Sequence, residues 1–332
     1  MAEVARQTGD PHGENQPTHA LPVFEGRESC RHARWSSARL RSLGQECLQP
    51  GTRFSSLERF VQFAGFPRSG HSIVGSILDA HPQAVIAHEL DAMGLVELGF
   101  ERDELFSLIC WNSRKFEENG RFWNGFSYAV PGSMGGRAEG LRVLGDKKGD
   151  WAVRRTLYSP GLVEQLDSLL AGVRQCWIAV IRNPFDNIAT LSLRKGRHYD
   201  RLRIASKSEA DFREALAREK GQRVAASVLP EMIEDYARLC AGLAALKAQI
   251  PAQDWLELRH EDFVAAPREA IPELCRFAGL EASASFNEAA ASIVSPRPNR
   301  SRHEVSWGPG QQARVEGLIA QYDFLHGYDF DE

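Results

Sequence analysis

Short apolar runs alternate with helix-period segments from residue 60 onward. Phe60-Val61-Gln62-Phe63-Ala64 reads as a buried strand ending at Gly65, and Ile73, Val74, Ile77 and Leu78 then share one face of a predicted helix. Ala84–Ala87 predicts a second strand. Leu141–Leu144 and Cys176–Ile181 predict two more, followed by helices over about 159–170 and 184–194. A further strand fits Trp255–Leu258, and helices fit about 211–248, 267–278 and 309–322. Strands alternating with helices imply βαβ units, a parallel sheet, and ligands at the carboxyl ends of its strands. Residues 1–57 are polar and without a sustained period, so they are expected to form an N-terminal extension with no share in the core. No internal repeat is present.

Composition narrows the class. The 332 residues are 43% hydrophobic and 25% charged, as in globular proteins rather than disordered or fibrous ones. A net charge of −4, from 40 basic against 44 acidic residues, argues against a dedicated nucleic-acid binder. No apolar run approaches the roughly 18 residues that span a membrane. The N-terminal stretch lacks the apolar centre of a signal peptide, so a cytoplasmic location is expected. The six cysteines, Cys30, Cys47, Cys110, Cys176, Cys240 and Cys275, include no C-x-x-C pair. Reduced thiols and no metal site are therefore expected.

The candidate chemistry begins at Gly65-Phe66-Pro67-Arg68-Ser69-Gly70-His71-Ser72, between the first strand and its helix. Two glycines five apart, then a hydroxyl residue two beyond the second, make the frame of a phosphate-binding loop. The lysine that nucleoside triphosphatases carry after the second glycine is His71 here, and the loop's cation is Arg68. On these residues alone an ordinary glycine turn with a solvated arginine remains open. The whole stretch GFPRSGHSIVGSILDAHP, with Glu89 after it, strongly resembles the 5′-phosphosulfate loop of sulfotransferases that use 3′-phosphoadenosine 5′-phosphosulfate (PAPS). The tyrosylprotein branch and related bacterial and carbohydrate branches are most similar, with Pro-Arg-Ser-Gly-Thr-Thr and then Leu-Asp-Ala-His-Pro. The resemblance implies that Pro67 to Ser72 bind the donor, with Arg68 gripping the anion and Ser72 supplying a hydroxyl. His71 stands where the family has its first threonine. It also implies Glu89 as the base, with His88 the alternative.

A second segment runs from Ile181 through Arg182-Asn183-Pro184-Phe185-Asp186 to Thr190. Thr190 and Arg194 are four apart, on one face of the predicted helix. Taken alone, an Arg182–Asp186 pair and a surface role for the other two remain open. The segment resembles the family's 3′-phosphate site, which implies that Arg182, Thr190 and Arg194 hold that phosphate. Gly145-Asp146-Lys147-Lys148 resembles the family's Gly-Asp-Lys and implies that Lys147 neutralises charge on the bridging oxygen as the sulfuryl group leaves. Arg259-His260-Glu261-Asp262-Phe263 resembles Arg-Tyr-Glu-Asp-Leu, with His260 for the tyrosine and Glu261 and Asp262 as structural residues. Near the C-terminus, Ser301 and Arg302 fall where the family closes its nucleotide site with a basic loop.

The resemblance thus implies an α/β, three-layer P-loop-NTPase-like fold with a central, mostly parallel sheet, formed by a single domain over 58–332. It implies PAPS as co-substrate, 3′,5′-ADP as product, no metal, and an acceptor hydroxyl or amine on a small molecule, carbohydrate, lipid or peptide. A P-loop kinase is the rival, opposed by His71 and by the 3′-phosphate site. A non-catalytic nucleotide-binding module is the other, opposed by the joint presence of Arg68, Glu89 and Lys147. Seven aromatics lie between Phe106 and Tyr128, as either an acceptor pocket or packed core.

Overall fold

Alternate residues of each central strand enter different apolar clusters, as the two-residue period of an extended chain requires. The strands of the computed structural model are β1 (Arg59–Gly65), β2 (Ala84–Ala87), β3 (Val143–Asp146), β4 (Arg174–Ile181) and β5 (Trp255–Arg259). Phe60, Ala64, Trp177, Ala179 and Ile181 face one cluster, and Val61, Phe63, Cys176, Ile178 and Val180 face the other. The strands form one sheet in the order β5-β4-β1-β3-β2, every neighbouring pair parallel. Described are residues 20–22, 32–34, 37–47, 54–133, 140–196, 206, 208–222 and 226–331.

Helices complete the outer layers. On one face lies α1 (His71–Asp79), through Val74, Ile77 and Leu78. On the other lie α2 (Arg102–Glu118), α3 (Gly149–Tyr158), α4 (Pro184–Lys195) and α5 (Pro230–Lys247). Finally α6 (Pro267–Phe277) joins α1 through Ile271 and Leu274. This is the three-layer α/β arrangement of P-loop-NTPase-like proteins. Among the described residues no helix is long and apolar enough to cross a membrane.

Several expected elements differ. The helix expected over 211–248 is two, Glu209–Gln222 and α5, because Pro230 lacks an N–H and suits the first turn of a new helix. α2 and α3 have no counterpart in the periodicity reading. α2 buries Glu104, Ser107, Asn112 and Ser113, and α3 buries Asp150 and Arg155, so polar residues interrupt their apolar stripes. β3 starts two residues later than expected and takes Gly145 and Asp146 into the sheet. Part of the supposed extension belongs to the core. A helix at Ser37–Cys47 buries Leu40 and Leu43 in the same cluster as Phe54 and Leu57. Four scattered apolar residues carry no periodic signal.

One buried carboxylate ties α1, β2, α2 and the turn after α2 together. Asp79 accepts from the Ile86 N–H at 2.6 Å and from the Ser113 hydroxyl at 2.7 Å, and pairs with Arg121 at 2.7 Å. Both ionic side chains are buried to within 1% of complete. Removing one partner of such a pair strands the other charge. Asp79→Ala is therefore expected to lower the unfolding free energy by about 3–5 kcal/mol in a urea titration; a loss below about 1 kcal/mol would contradict the role given to this pair.

Candidate active site

All five parallel strands end at the same edge of the sheet, and a polar residue with chemistry follows each end. β1 runs into the loop at 65–72, β2 into Glu89, β3 into Lys147 and Lys148, β4 into Arg182 and β5 into His260.

The loop depends on backbone conformations that most residues avoid. Gly70 has φ +106°, and a Cβ there would stand 2.5 Å from His260 Nδ1, so glycine alone fits. Arg68 adopts φ 69°, a left-handed conformation costing about 1–3 kcal/mol in a non-glycine residue. Such strain is sustained only where the surroundings enforce it, and here the Arg68 carbonyl accepts from Arg182 Nη1 at 3.1 Å. Pro67 is partly exposed beside it. The side chains of Ser69 and His71, expected among the donor ligands, are committed elsewhere. The Ser69 hydroxyl donates to the Phe66 carbonyl at 2.8 Å. His71 Nε2–H donates to the Ala64 carbonyl at 2.9 Å, with the ring beneath the loop. Burial, and next Lys147, push its pKa down to about 4, so it is neutral. His71 opens α1, and the first N–H groups of that helix have no intrahelical carbonyl. Ile73 N–H and Val74 N–H both turn to the Gly70 carbonyl, at 3.2 and 3.5 Å, which leaves those of His71 and Ser72 at the head of the helix.

Arg182 links this loop to the second segment. Asn183 caps α4, its Oδ1 accepting from the Phe185 N–H at 3.0 Å, with Pro184 in the first turn. That fixes the chain direction at the end of β4. Arg182, 6% exposed, donates through Nη1 to the Arg68 carbonyl and to Thr190 Oγ1 at 3.3 Å, and through Nη2 to the Asn299 carbonyl. Thr190 donates to Ser301 Oγ at 2.9 Å, and Asn299 Nδ2 donates to the same oxygen at 2.8 Å. With two incoming donors, the Ser301 proton is directed to another acceptor. Arg194 is exposed, and its positive charge acts on Arg68. Burial first, then Arg194, with Arg182 adding to it, push the Arg68 pKa down to about 10; it stays protonated at neutral pH.

Arg302, also expected as a ligand, is a structural clamp. It is 2% exposed, pairs with Asp186 at 3.1 Å and donates through Nη1 to the Asp329 carbonyl at 2.7 Å. It takes the carboxylate that the chain pattern had offered to Arg182. Glu261 is structural as expected: it accepts from the Asn183 N–H at 3.0 Å and the Tyr328 hydroxyl at 2.8 Å.

Across the loop stands Glu89, itself at φ 62°. Asp146 holds that turn, accepting from Leu90 N–H at 3.1 Å and Ala92 N–H at 2.7 Å. Burial pushes Asp146 up to about 7 in spite of those two donors. Lys147 and Lys148 each donate to one oxygen of the Glu89 carboxylate, and Lys147 also donates to Ser72 Oγ at 3.0 Å. Gly75 in α1 makes room for the Lys147 stem: a Cβ would lie 2.7 Å from its Cγ. Burial alone would raise the Glu89 carboxyl, yet Lys147 and then Lys148 outweigh it and hold it well below the usual range. The His88 ring is stacked on Phe116 at 3.8 Å and meets the edge of Trp123 at 5.0 Å. Burial, then Lys147, keep it neutral.

The aromatic segment divides. Phe106 and Phe116 are completely buried and Trp123 is 6% exposed, so these rings pack as core. Tyr128 instead lies beside Arg68 and Ser72 at the loop. Asp146 and Lys148 are the site residues to which the chain pattern had assigned no role, and their place beside Lys147 was the available signal; Tyr128 had been offered only as a ring of an acceptor pocket or of packed core. Among the described residues no three His, Cys, Asp or Glu side chains group as ligands for a metal ion.

A glycine loop with Arg68, the Arg182 cluster and the Glu89–lysine cluster thus gather at one edge of the parallel sheet. The family model described as "Sulfotransferase family" matches residues 61–284, and the chain belongs to that family. Solved structures similar to it include a sulfotransferase from Mycobacterium avium (10% identity, TM-score 0.46, covering 89% of this chain and 83% of that one). The sulfotransferase domain of the Synechococcus PCC 7002 olefin synthase is similar at 13% identity and TM-score 0.44, covering 80% and 96%. A mouse sulfotransferase complexed with PAP is similar at 15% identity and TM-score 0.39, covering 86% and 88%. No curated protein matches significantly.

The two arginines at the C-terminal side of the site should behave oppositely on truncation. Arg302→Ala leaves Asp186 buried and unpaired and is expected to cost about 3–5 kcal/mol of stability. Arg194→Ala, at the surface, should change stability by no more than about 0.5 kcal/mol. Urea titrations of both variants check the contrast; equal losses would contradict the placement.

Proposed function

We propose that this sulfotransferase uses PAPS as donor and passes its sulfuryl group to a hydroxyl or amine of an acceptor, releasing 3′,5′-ADP. The observation that carries the reading is the buried Arg182 guanidinium, which touches the Arg68 carbonyl, Thr190 and the Asn299 carbonyl and, among the described residues, pairs with no carboxylate, so that two cationic residues adjoin at the strand ends. Like charges gathered this closely are relieved by a ligand carrying negative charge at both places. PAPS carries it at the 5′-phosphosulfate and at the 3′-phosphate.

In this reading Arg68, Ser72 and the first N–H groups of α1 hold the phosphosulfate. Arg182, Thr190, Arg194 and the Ser301 hydroxyl hold the 3′-phosphate. Glu89 takes the acceptor proton, and the freed lone pair attacks sulfur in line. The bond from sulfur to the bridging oxygen breaks, its electron pair stays on the phosphate, and Lys147 offsets the charge that develops there. A carboxylate held low by two lysines is a weak base at rest. A donor anion drawing on Lys147 strengthens it when the substrate is in place. The position that carries a phosphate-binding lysine in P-loop kinases is His71, neutral and turned beneath the loop, which favours this reading over phosphoryl transfer.

The deciding experiment is calorimetric titration with 3′,5′-ADP and with 5′-AMP. One charge-assisted contact is worth about 1.5–3 kcal/mol, so 3′,5′-ADP should bind about tenfold or more tightly; equal affinities would overturn the assignment of the Arg182 site. With labelled PAPS and a panel of acceptors, Glu89→Gln should lower kcat by about 10²–10⁴ while 3′,5′-ADP affinity holds. Full activity in that variant would remove Glu89 from the base role.

A further inference from the structure

Lys148 has no part in the roles assigned above, yet it makes as direct a contact with Glu89 as Lys147 does. The two lysines divide the carboxylate, Lys147 on Oε1 and Lys148 on Oε2. Their situations differ. Lys147 is 3% exposed and spans from Glu89 to the loop hydroxyl of Ser72 at 3.0 Å, so it belongs equally to the donor side. Lys148 is 13% exposed, and besides Lys147 its charged neighbours are the acidic Glu89, Asp150 and Asp91.

The juxtaposition is held from two sides. Asp146 fixes the backbone after Glu89 through Leu90 and Ala92. Between those two residues, Asp91 makes a double contact with Arg155 of α3, at 2.9 and 2.8 Å. Lys148 immediately precedes α3, so the Asp91–Arg155 pair fastens the Glu89 turn to the element that carries this lysine. A bidentate, buried pair of this kind sets geometry more firmly than a flexible lysine could by itself.

We propose that Lys148 is the positioning residue of the base, keeping hold of one Glu89 oxygen so that Lys147 can turn to the departing phosphate. The inference rests on the reading of Glu89 as base. Were Lys147 alone on the carboxylate, its move toward the donor would leave Glu89 without a cation at the moment its orientation matters. With Lys148 in place, Oε2 stays anchored and Oε1 is released toward the acceptor. The charged and titratable groups facing Glu89 are Lys147 and Lys148 after β3, His88 beside it, Arg68 and His71 from the loop, and Asp146 from β3. Of these, Lys147 and Lys148 are the ones in direct contact with its carboxylate.

The test is the pH dependence of kcat for Lys148→Gln against wild type, with Lys148→Arg as the charge-conserving control. Removing one of two contacting cations should move the acid limb upward by about 1–3 pH units, with 3′,5′-ADP affinity unchanged and the limb restored by arginine. An acid limb that stays in place would overturn the proposal, as would a loss of activity that arginine does not rescue. A second measurement needs no donor. In the full chain labelled with ¹³C at glutamate carboxyls, the Glu89 signal, identified by its absence in Glu89→Gln, should titrate at higher pH in Lys148→Gln, or in Lys148→Met should the first variant not fold. An unmoved titration overturns the role of Lys148. Failure of wild type to turn over PAPS would instead overturn the donor assignment, and the carboxyl titration would still decide the lysine.

Discussion

Arg182 joins three separate stretches of chain at one guanidinium. Its contacts reach the Arg68 carbonyl in the phosphate loop, Thr190 on α4 and the Asn299 carbonyl near the C-terminus. The terminal nitrogens of this buried guanidinium find backbone carbonyls and a hydroxyl rather than a carboxylate, and among the described residues its Nε–H meets no acceptor. Its positive charge is therefore not cancelled by direct contact. Had Asp186 paired with it, the same arginine would be a neutralised structural element. Asp186 is taken by Arg302, and that exchange of partners separates an arginine with no carboxylate in direct contact from one that holds the tail.

The opposite side of the site follows the reverse logic. Glu89 lies among cations, and a lone buried carboxylate there would protonate. Two lysines keep it ionised at the cost of its basicity. Burial, which raises the carboxyl, and the lysines, which lower it, act against each other, so the charge state of Lys147 and of whatever Lys147 touches governs how strong a base Glu89 is. The strain at Arg68, Glu89 and Asp91, all left-handed, is concentrated in the turns that follow β1 and β2. Each is braced by hydrogen bonds or an ion pair from a neighbouring strand end or helix.

Much of the fold was legible in order along the chain. Strands β1, β2, β4 and β5 and helices α1, α4 and α6 were readable because the spacing of their apolar residues keeps the strand or helix period in spite of buried polar residues such as Gln62, Asp79 and Asp186. α2 and α3 were not, since their buried faces hold Asn112, Ser113 and Arg155, whose burial makes sense only once Asp79, Asp91 and Arg121 have been brought to meet their surroundings. Within the candidate site, Arg68, Ser72, Arg182 and Thr190 stood out from the loop and segment patterns together with the family resemblance, and Glu89 and Lys147 from the resemblance. Ser69, His71 and Arg302 stood out equally, and their side chains turn elsewhere.

Residue type and spacing by themselves determined that strands alternate with helices and that a glycine loop follows the first strand, and the motif residues carried the resemblance to sulfotransferases. These are local properties, set by hydrophobic period, backbone freedom at glycine and the motif residues. Tertiary structure alone decided which arginine meets which carboxylate, that Asp146 braces the Glu89 turn, and that Lys148 shares the Glu89 carboxylate with Lys147. Those are contacts between residues some 55 to 120 positions apart, and a charge's partner depends on which groups the sheet order brings to one edge.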